Sequence, residues 1–299
     1  MVRSHTLRQP PMVRADASMR APRQWLSRFR GTVSGRAYGP SVSRRRGRAL
    51  GCLALSLLIG LGGCAAPQQR AGDVAPREDR LRAYLDLANG YLDLGDLNRA
   101  KLPLERALEV DSRSWEANAM LGRVYQREGD LDLAEQYFRR AVRFGPDVPR
   151  VRNDYGVFLY QQGRYEEAAD QLRQAVGDPN NPQRAVAYEN LGLASLEAGA
   201  RTEARNAFSR AVMLDEKMST SLLELAELAF ADADYSQSAA WYQRFRSLTR
   251  QNARSLWLGV RLARLADDAD AEASYALQLR NLFPLSKEYR LLQETLGEG

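Results

Sequence analysis

One side chain in this sequence is placed for covalent chemistry, the thiol of Cys64. It ends the run Leu61-Gly62-Gly63-Cys64, behind fifteen uncharged residues, Ala49 to Gly63, four of them glycine. That stretch follows a basic run, Arg44-Arg45-Arg46-Gly47-Arg48. A charged segment, a short apolar segment and small residues ahead of a cut make a secretory signal peptide. A helix that spans a bilayer needs about 20 apolar residues, so this run is too short to be a membrane anchor by itself.

The same four residues resemble the bacterial lipobox, with Leu at −3 and small residues at −2 and −1. The resemblance implies that Cys64 is diacylated on sulfur, freed from its signal and acylated on the new amine. Two or more acyl chains anchor stably where one is marginal, so the mature protein is expected to be membrane-tethered and otherwise soluble. Ala65-Ala66-Pro67 places no Asp after the cysteine, which resembles the outer-membrane sorting default. Cys64 is thus the expected lipidation site, at the periplasmic face of the outer membrane. Residues 1–41 are Arg-, Ser- and Pro-rich and aperiodic, and a signal of usual length starts at Val42 if that codon initiates. The expected division is 1–63 for extension and signal (1–41 and 42–63), 64–79 for a lipid-anchored linker, and 80–299 for a folded domain.

Other chemistry is limited by composition. The only histidine is His5, and the only cysteines are Cys52 and Cys64. The chain beyond Cys64 therefore lacks the side chains of Ser-His-Asp and Cys-His catalysis, of His or Cys zinc sites, and of disulfides. Carboxylate pairs can still run acid/base work, but nothing in the sequence puts such a pair in a pocket. No enzyme activity, cofactor, metal or small-molecule substrate is expected. The net charge of +6 does not point to nucleic acid as a partner. Of the 43 Lys and Arg, 12 fall in residues 1–63 with one of the 37 Asp and Glu. The rest carries 31 basic against 36 acidic side chains, a net of −5.

From Leu81 the chain repeats itself. One series reads Ala88, Tyr91, Gly95, Ala100, Leu104, Ala107; the next reads Gly122, Tyr125, Gly129, Ala134, Phe138, Ala141, offset by 34 at every position. A third has Gly156, Leu159, Gly163, Ala168, Leu172 and Ala175; a fourth, spaced by 36 across Asp178-Pro179-Asn180-Asn181-Pro182, has Gly192, Ser195, Gly199, Ala204, Phe208 and Ala211. Weaker fifth and sixth units run Ala226, Ala229, Ala233, Ser238, Tyr242, Phe245 and Gly259, Leu262, Ala266, Ala271, Tyr275. This is the tetratricopeptide pattern of helix pairs that bury their apolar faces only by stacking. The fold is therefore read as all-α, a right-handed superhelix of six such repeats, capped by a helix over 286–296. Small residues let two helices cross closely while a large one fills the space beside them, which makes Tyr91, Tyr125, Phe138 and Phe208 core residues. Pro103 falls inside a second helix, where it removes a hydrogen bond and clashes with the preceding turn; a bend or a late start is expected there. Trp257 reads as core.

First helices of such pairs line a concave groove. Counting from the crossing residues, its candidates are Arg123, Gln126, Arg150, Asn153, Val157, Tyr160, Glu189, Leu193, Leu196, Leu223 and Phe230. The set is partly apolar with arginines at one end, suited to an amphipathic or extended segment. Packing against neighbouring helices is the competing role for each.

Three stretches carry a closer likeness: Asn153 to Tyr160 through Arg164-Tyr165-Glu166-Glu167-Ala168; Tyr188 to Leu196; and Gln251 to Ala263 with Ala273-Ser274-Tyr275. They resemble the pilotin family of type IV pilus biogenesis/stability lipoproteins (PilF/PilW) over residues 80–290 and the lipobox. The resemblance implies a partner, the type IV pilus secretin subunit, escorted to the outer membrane and multimerised there. Repeat spacing alone fits equally a different periplasmic repeat lipoprotein serving outer-membrane protein or peptidoglycan assembly. Only the three stretches favour the first.

Overall fold

The computed structural model describes residues 75–297; Cys64 and the signal segment lie outside them. Thirteen helices follow in order: α1 Arg77–Asp93, α2 Leu97–Val110, α3 Trp115–Glu128, α4 Leu131–Phe144, α5 Pro149–Gln161, α6 Tyr165–Ala175, α7 Arg184–Glu197, α8 Arg201–Leu214, α9 Ser219–Ala231, α10 Tyr235–Leu248, α11 Ala253–Leu265, α12 Ala269–Leu282 and α13 Lys287–Gly297. Among the described residues there is no strand. Helices pair α1 with α2 through α11 with α12, and each pair packs on the next, with α13 closing the stack against α11 and α12. α1 starts three residues ahead of the boundary expected at 80.

Each hairpin turns on two residues. The first takes a left-handed backbone, which glycine adopts without steric cost: Gly95, Gly129, Gly163 and Gly199 have φ of 75°, 87°, 74° and 79°. In the last two hairpins Ala233 (φ 61°) and Asp267 (φ 54°) take that conformation. The second residue is often Asp, and the carboxylates of Asp96, Asp130, Asp234 and Asp268 accept the backbone N–H three residues on. That satisfies a helix-start donor with no other partner.

At the crossings, Ala100, Leu104, Ala134, Phe138, Ala168, Leu172, Ala204 and Phe208 are wholly buried. A Cβ at Gly122, Gly156 or Gly192 would come within 3.0, 2.7 or 2.5 Å of Phe138, Leu172 or Phe208. Glycine there is what allows the large partner side chain to lie flat on the first helix. Ser238 replaces the usual alanine, and its hydroxyl donates 2.8 Å to the Ala226 carbonyl, so the buried polar group is satisfied. Ion pairs tie successive repeats: Arg164 reaches both oxygens of Glu135 at 2.8 and 2.9 Å, and the Tyr155 hydroxyl donates to the same carboxylate at 3.0 Å.

The structure corrects several expectations. α2 begins at Leu97 and runs unbroken through Pro103, so there is no late start. Pro103 is buried and faces the core, where its ring serves as packing while the Arg99 carbonyl forgoes one helical bond. Phe138 and Phe208 are core, but Tyr91 and Tyr125 are half-buried at the cluster's margin. Tyr125 stacks on Tyr137 with centroids 5.4 Å apart, under the Lys101 ammonium. The sixth unit is out of register by one: its left-handed residue is Asp267, not Ala266, and seven residues before it stands the wholly buried Val260. A Cβ at Gly259 would come within 3.0 Å of the Tyr275 ring, as at the other crossing glycines, which is why the shifted reading fits the residue types.

Candidate partner-binding groove

Successive odd helices touch across repeats (α1 with α3, α3 with α5, α5 with α7, α7 with α9), whereas the even ones make no comparable contact. The odd helices therefore lie on the inside of the curve. The residue just after each crossing forms a row on this face, one per repeat from two to six: Arg123, Val157, Leu193, Glu227 and Arg261.

The expected groove residues divide by burial. Leu193 and Leu223 are each 3% exposed, and Tyr160 is 9% exposed with its ring edge-on to Tyr165. These three pack inward. Val157, Leu196 and Phe230 are half-buried and present part of their apolar surface. Among the polar members, the Asn153 oxygen accepts from Asn190 at 2.9 Å, Gln126 donates to Gln161 at 2.6 Å, and Glu189 accepts from the backbone N–H and hydroxyl of Ser221 at 3.0 and 2.8 Å. Burial raises the Glu189 carboxyl above the ordinary range despite the Ser221 donors. Arg150 is exposed and Arg123 half-buried. Burial lowers the Arg123 guanidinium; Arg150 and Arg127 push the same way, and Asp154 and Asp93 oppose them. Asp154 is pushed up by burial, against the pull of Arg123 and Arg150.

A second cluster on the same face shares only Phe230 with the expected set. Arg254 donates to both oxygens of Glu224 at 2.7 and 2.9 Å, and Glu224 is 3% exposed. Arg261 donates to Glu227 at 2.8 Å and lies over the Phe230 and Trp257 rings, 4.3 and 5.6 Å from their centroids. Trp257, expected as core, is half-buried beside this network. The signal was available: Glu227 and Arg261 are 34 residues apart, the spacing at which side chains of neighbouring repeats stack. The one-residue register error hid it.

A stack of helix pairs with small crossing residues and a lined inner face is a tetratricopeptide-repeat scaffold. Residues 85–149, 120–185 and 154–219 match the tetratricopeptide repeat family. The type IV pilus assembly protein PilF of Pseudomonas aeruginosa is 39% identical over 247 residues, 81% of this chain and 96% of that protein. A solved structure of Pseudomonas aeruginosa PilF, 40% identical, superposes with a TM-score of 0.70 over 73% of this chain and 99% of its own. PilW, a type IV pilus biogenesis factor, is 26% identical with a TM-score of 0.61 over 71% and 98%. The chain belongs to the PilF/PilW family of tetratricopeptide-repeat proteins of type IV pilus biogenesis.

Proposed function

We propose that this protein is an outer-membrane lipoprotein that binds the type IV pilus secretin subunit and promotes its localisation and multimerisation. The observation that carries the reading is the match to PilF, which covers 81% of this chain and 96% of that protein. The lipobox at Cys64 supports the anchor. Residues 65–76 precede α1 and span at most about 40 Å when extended, so a lipid on Cys64 keeps the repeats close to the membrane. The repeat domain acts as a non-catalytic scaffold. Its partner contact is the inner face, where Arg123, Arg150, Val157, Leu196 and Phe230 offer charge at one end and apolar surface beyond it. Asn153 and Glu189 brace that face, and Tyr160, Leu193 and Leu223 support it from beneath.

The test is a strain deleted for this gene, scored for heat-resistant secretin multimers in outer-membrane fractions and for twitching motility. Both are expected to be lost and restored by the wild-type gene. Undiminished multimers in the deletion strain defeat the reading. Cys64→Ala is expected to leave secretin binding intact in pull-down while the multimers shift to the inner-membrane fraction.

A further inference from the structure

Among the described residues, two buried side-chain nitrogens have no hydrogen-bond partner: Nε of Arg123 and Nε of Arg261. Both belong to the row that follows the crossings, four repeats apart. Buried donors in folded proteins are nearly always paired, because one left unpaired forfeits its hydration without replacement. The two arginines differ in what else they do. Arg261 is neutralised by Glu227 and covered by Phe230 and Trp257. The Arg123 side chain makes no hydrogen bond and no ion pair with any described residue, and neither does that of the exposed Arg150. The charges that act on Arg123 are two like ones, Arg127 and Arg150, and two unlike ones, Asp154 and Asp93. Arg127 spends one nitrogen on the Leu92 carbonyl at 3.4 Å. At the repeat-two and repeat-three end of the groove two arginines, Arg123 and Arg150, thus stand without a side-chain hydrogen bond or ion pair among the described residues, and the Arg123 guanidinium is half-withdrawn from water.

With its Nε closed off from solvent, the guanidinium of Arg123 has its two terminal nitrogens left for a ligand, and the group that matches such a planar pair best is a carboxylate, gripped through two parallel hydrogen bonds. We infer that this end of the groove is a seat for a carboxylate carried by an extended segment of the protein partner, with Arg123 as the bidentate contact and Arg150 beside it. The neighbouring residues of that segment lie over Val157 and Leu196 toward Phe230. The inference rests on the proposed use of the inner face for partner binding.

The experiment measures binding of the secretin's soluble periplasmic region to the lipid-free chain from residue 65 onward, by calorimetry at low and moderate salt. Arg123→Gln is expected to weaken binding about 10- to 100-fold, the scale of a charge-assisted hydrogen bond, and to flatten the salt dependence. Arg123→Lys is expected to recover only part. Arg123→Met is expected to melt no lower than wild type, because the Arg123 side chain makes no hydrogen bond or ion pair with any described residue; a drop of several degrees would make it a structural residue and overturn the proposal. On the partner, one Asp→Asn or Glu→Gln change should weaken binding in the wild type and add nothing in the Arg123→Gln background. If no side-chain change does so, extending the partner's C-terminus by four Gly-Ser residues should have that effect, placing the terminal carboxylate in the seat. Val157→Asp with Leu196→Asp separates the two levels of the argument. If that pair leaves binding intact, the inner face is not the contact and both readings fail. If it abolishes binding while Arg123→Gln leaves it unchanged, the groove stands and the carboxylate seat is overturned.

Discussion

Gly192→Ala puts the crossing geometry to a quantitative test. Glycine inside a helix is less favourable than alanine by about 0.5–1 kcal/mol, so helix propensity predicts that the substitution stabilises α7. Packing predicts the opposite. The added methyl would stand 2.5, 2.6 and 2.9 Å from three carbons of the Phe208 ring, well inside van der Waals contact. Phe208 is 0% exposed, and a close-packed interior gives the ring no free volume to enter. Overpacking of this kind costs about 1–3 kcal/mol, so with mid-range values for both effects the net expectation is a loss of about 1 kcal/mol. Gly90→Ala is the control: Gly90 is exposed in α1 with nothing within 4 Å of its would-be Cβ, and the change should stabilise by about 0.5–1 kcal/mol. Urea unfolding of the soluble chain, followed by circular dichroism, reads both. Phe208→Leu should shrink the Gly192→Ala penalty when the two are combined, since the contact that carries it is partly removed. A Gly192→Ala chain as stable as wild type would refute the reasoning, for it would mean that the helices separate at no cost.

Two further outcomes follow from the ion pairs. Arg254→Ala strands the carboxylate of Glu224, which is 3% exposed, and should cost about 3–5 kcal/mol, whereas Arg254→Met with Glu224→Leu should recover most of it; a loss under about 1 kcal/mol in urea unfolding contradicts this. Burial pushes the Glu135 carboxyl up, but Arg164, Tyr155 and Arg139 outweigh it and hold it below the ordinary range. A depressed folded value contributes stability that is present above the unfolded value of about 4.3 and lost as pH falls through the folded one. Glu135→Gln should therefore be less stable than wild type at pH 7, with the gap closing below about pH 4.3; a gap that widens on acidification refutes the sign.

The repeat array was legible because its determinants are local in sequence. A small residue at the crossing, a glycine seven later and an alanine twelve later are each imposed by backbone geometry, and together they located four hairpins correctly; the fifth keeps the spacing with Ala233 and Ser238 in those places. The sixth slipped by one because residue types there support two registers. A Cβ at Gly259 would crowd the Tyr275 ring, so the two look like the expected pair, yet the turn is set by Asp267 and Asp268, which carry no glycine to mark it. The groove was half legible for a related reason. An inner helix face touches both the partner and the preceding repeat, so spacing cannot say why Leu193 and Leu223 sink into the stack while Leu196 and Val157 stay partly open. That depends on how neighbouring repeats rotate, a property of pairs of units rather than of any one.

The row after the crossings shows what such pairing can build. Arg123, Val157, Leu193, Glu227 and Arg261 occupy one position in five stacked units, so any change of type along the row becomes a gradient along the groove. At one end Glu227 answers Arg261 within the fold, and the aromatic rings above them leave that charge little to offer a ligand. At the other end the position after Arg123 in the row is Val157, which carries no charge to answer it. A half-buried cation whose buried Nε has no partner lowers stability and is removable by one substitution. Its place on the inner face, at the end where Arg150 also stands unpaired, is what a binding site requires and what a purely structural stack would avoid.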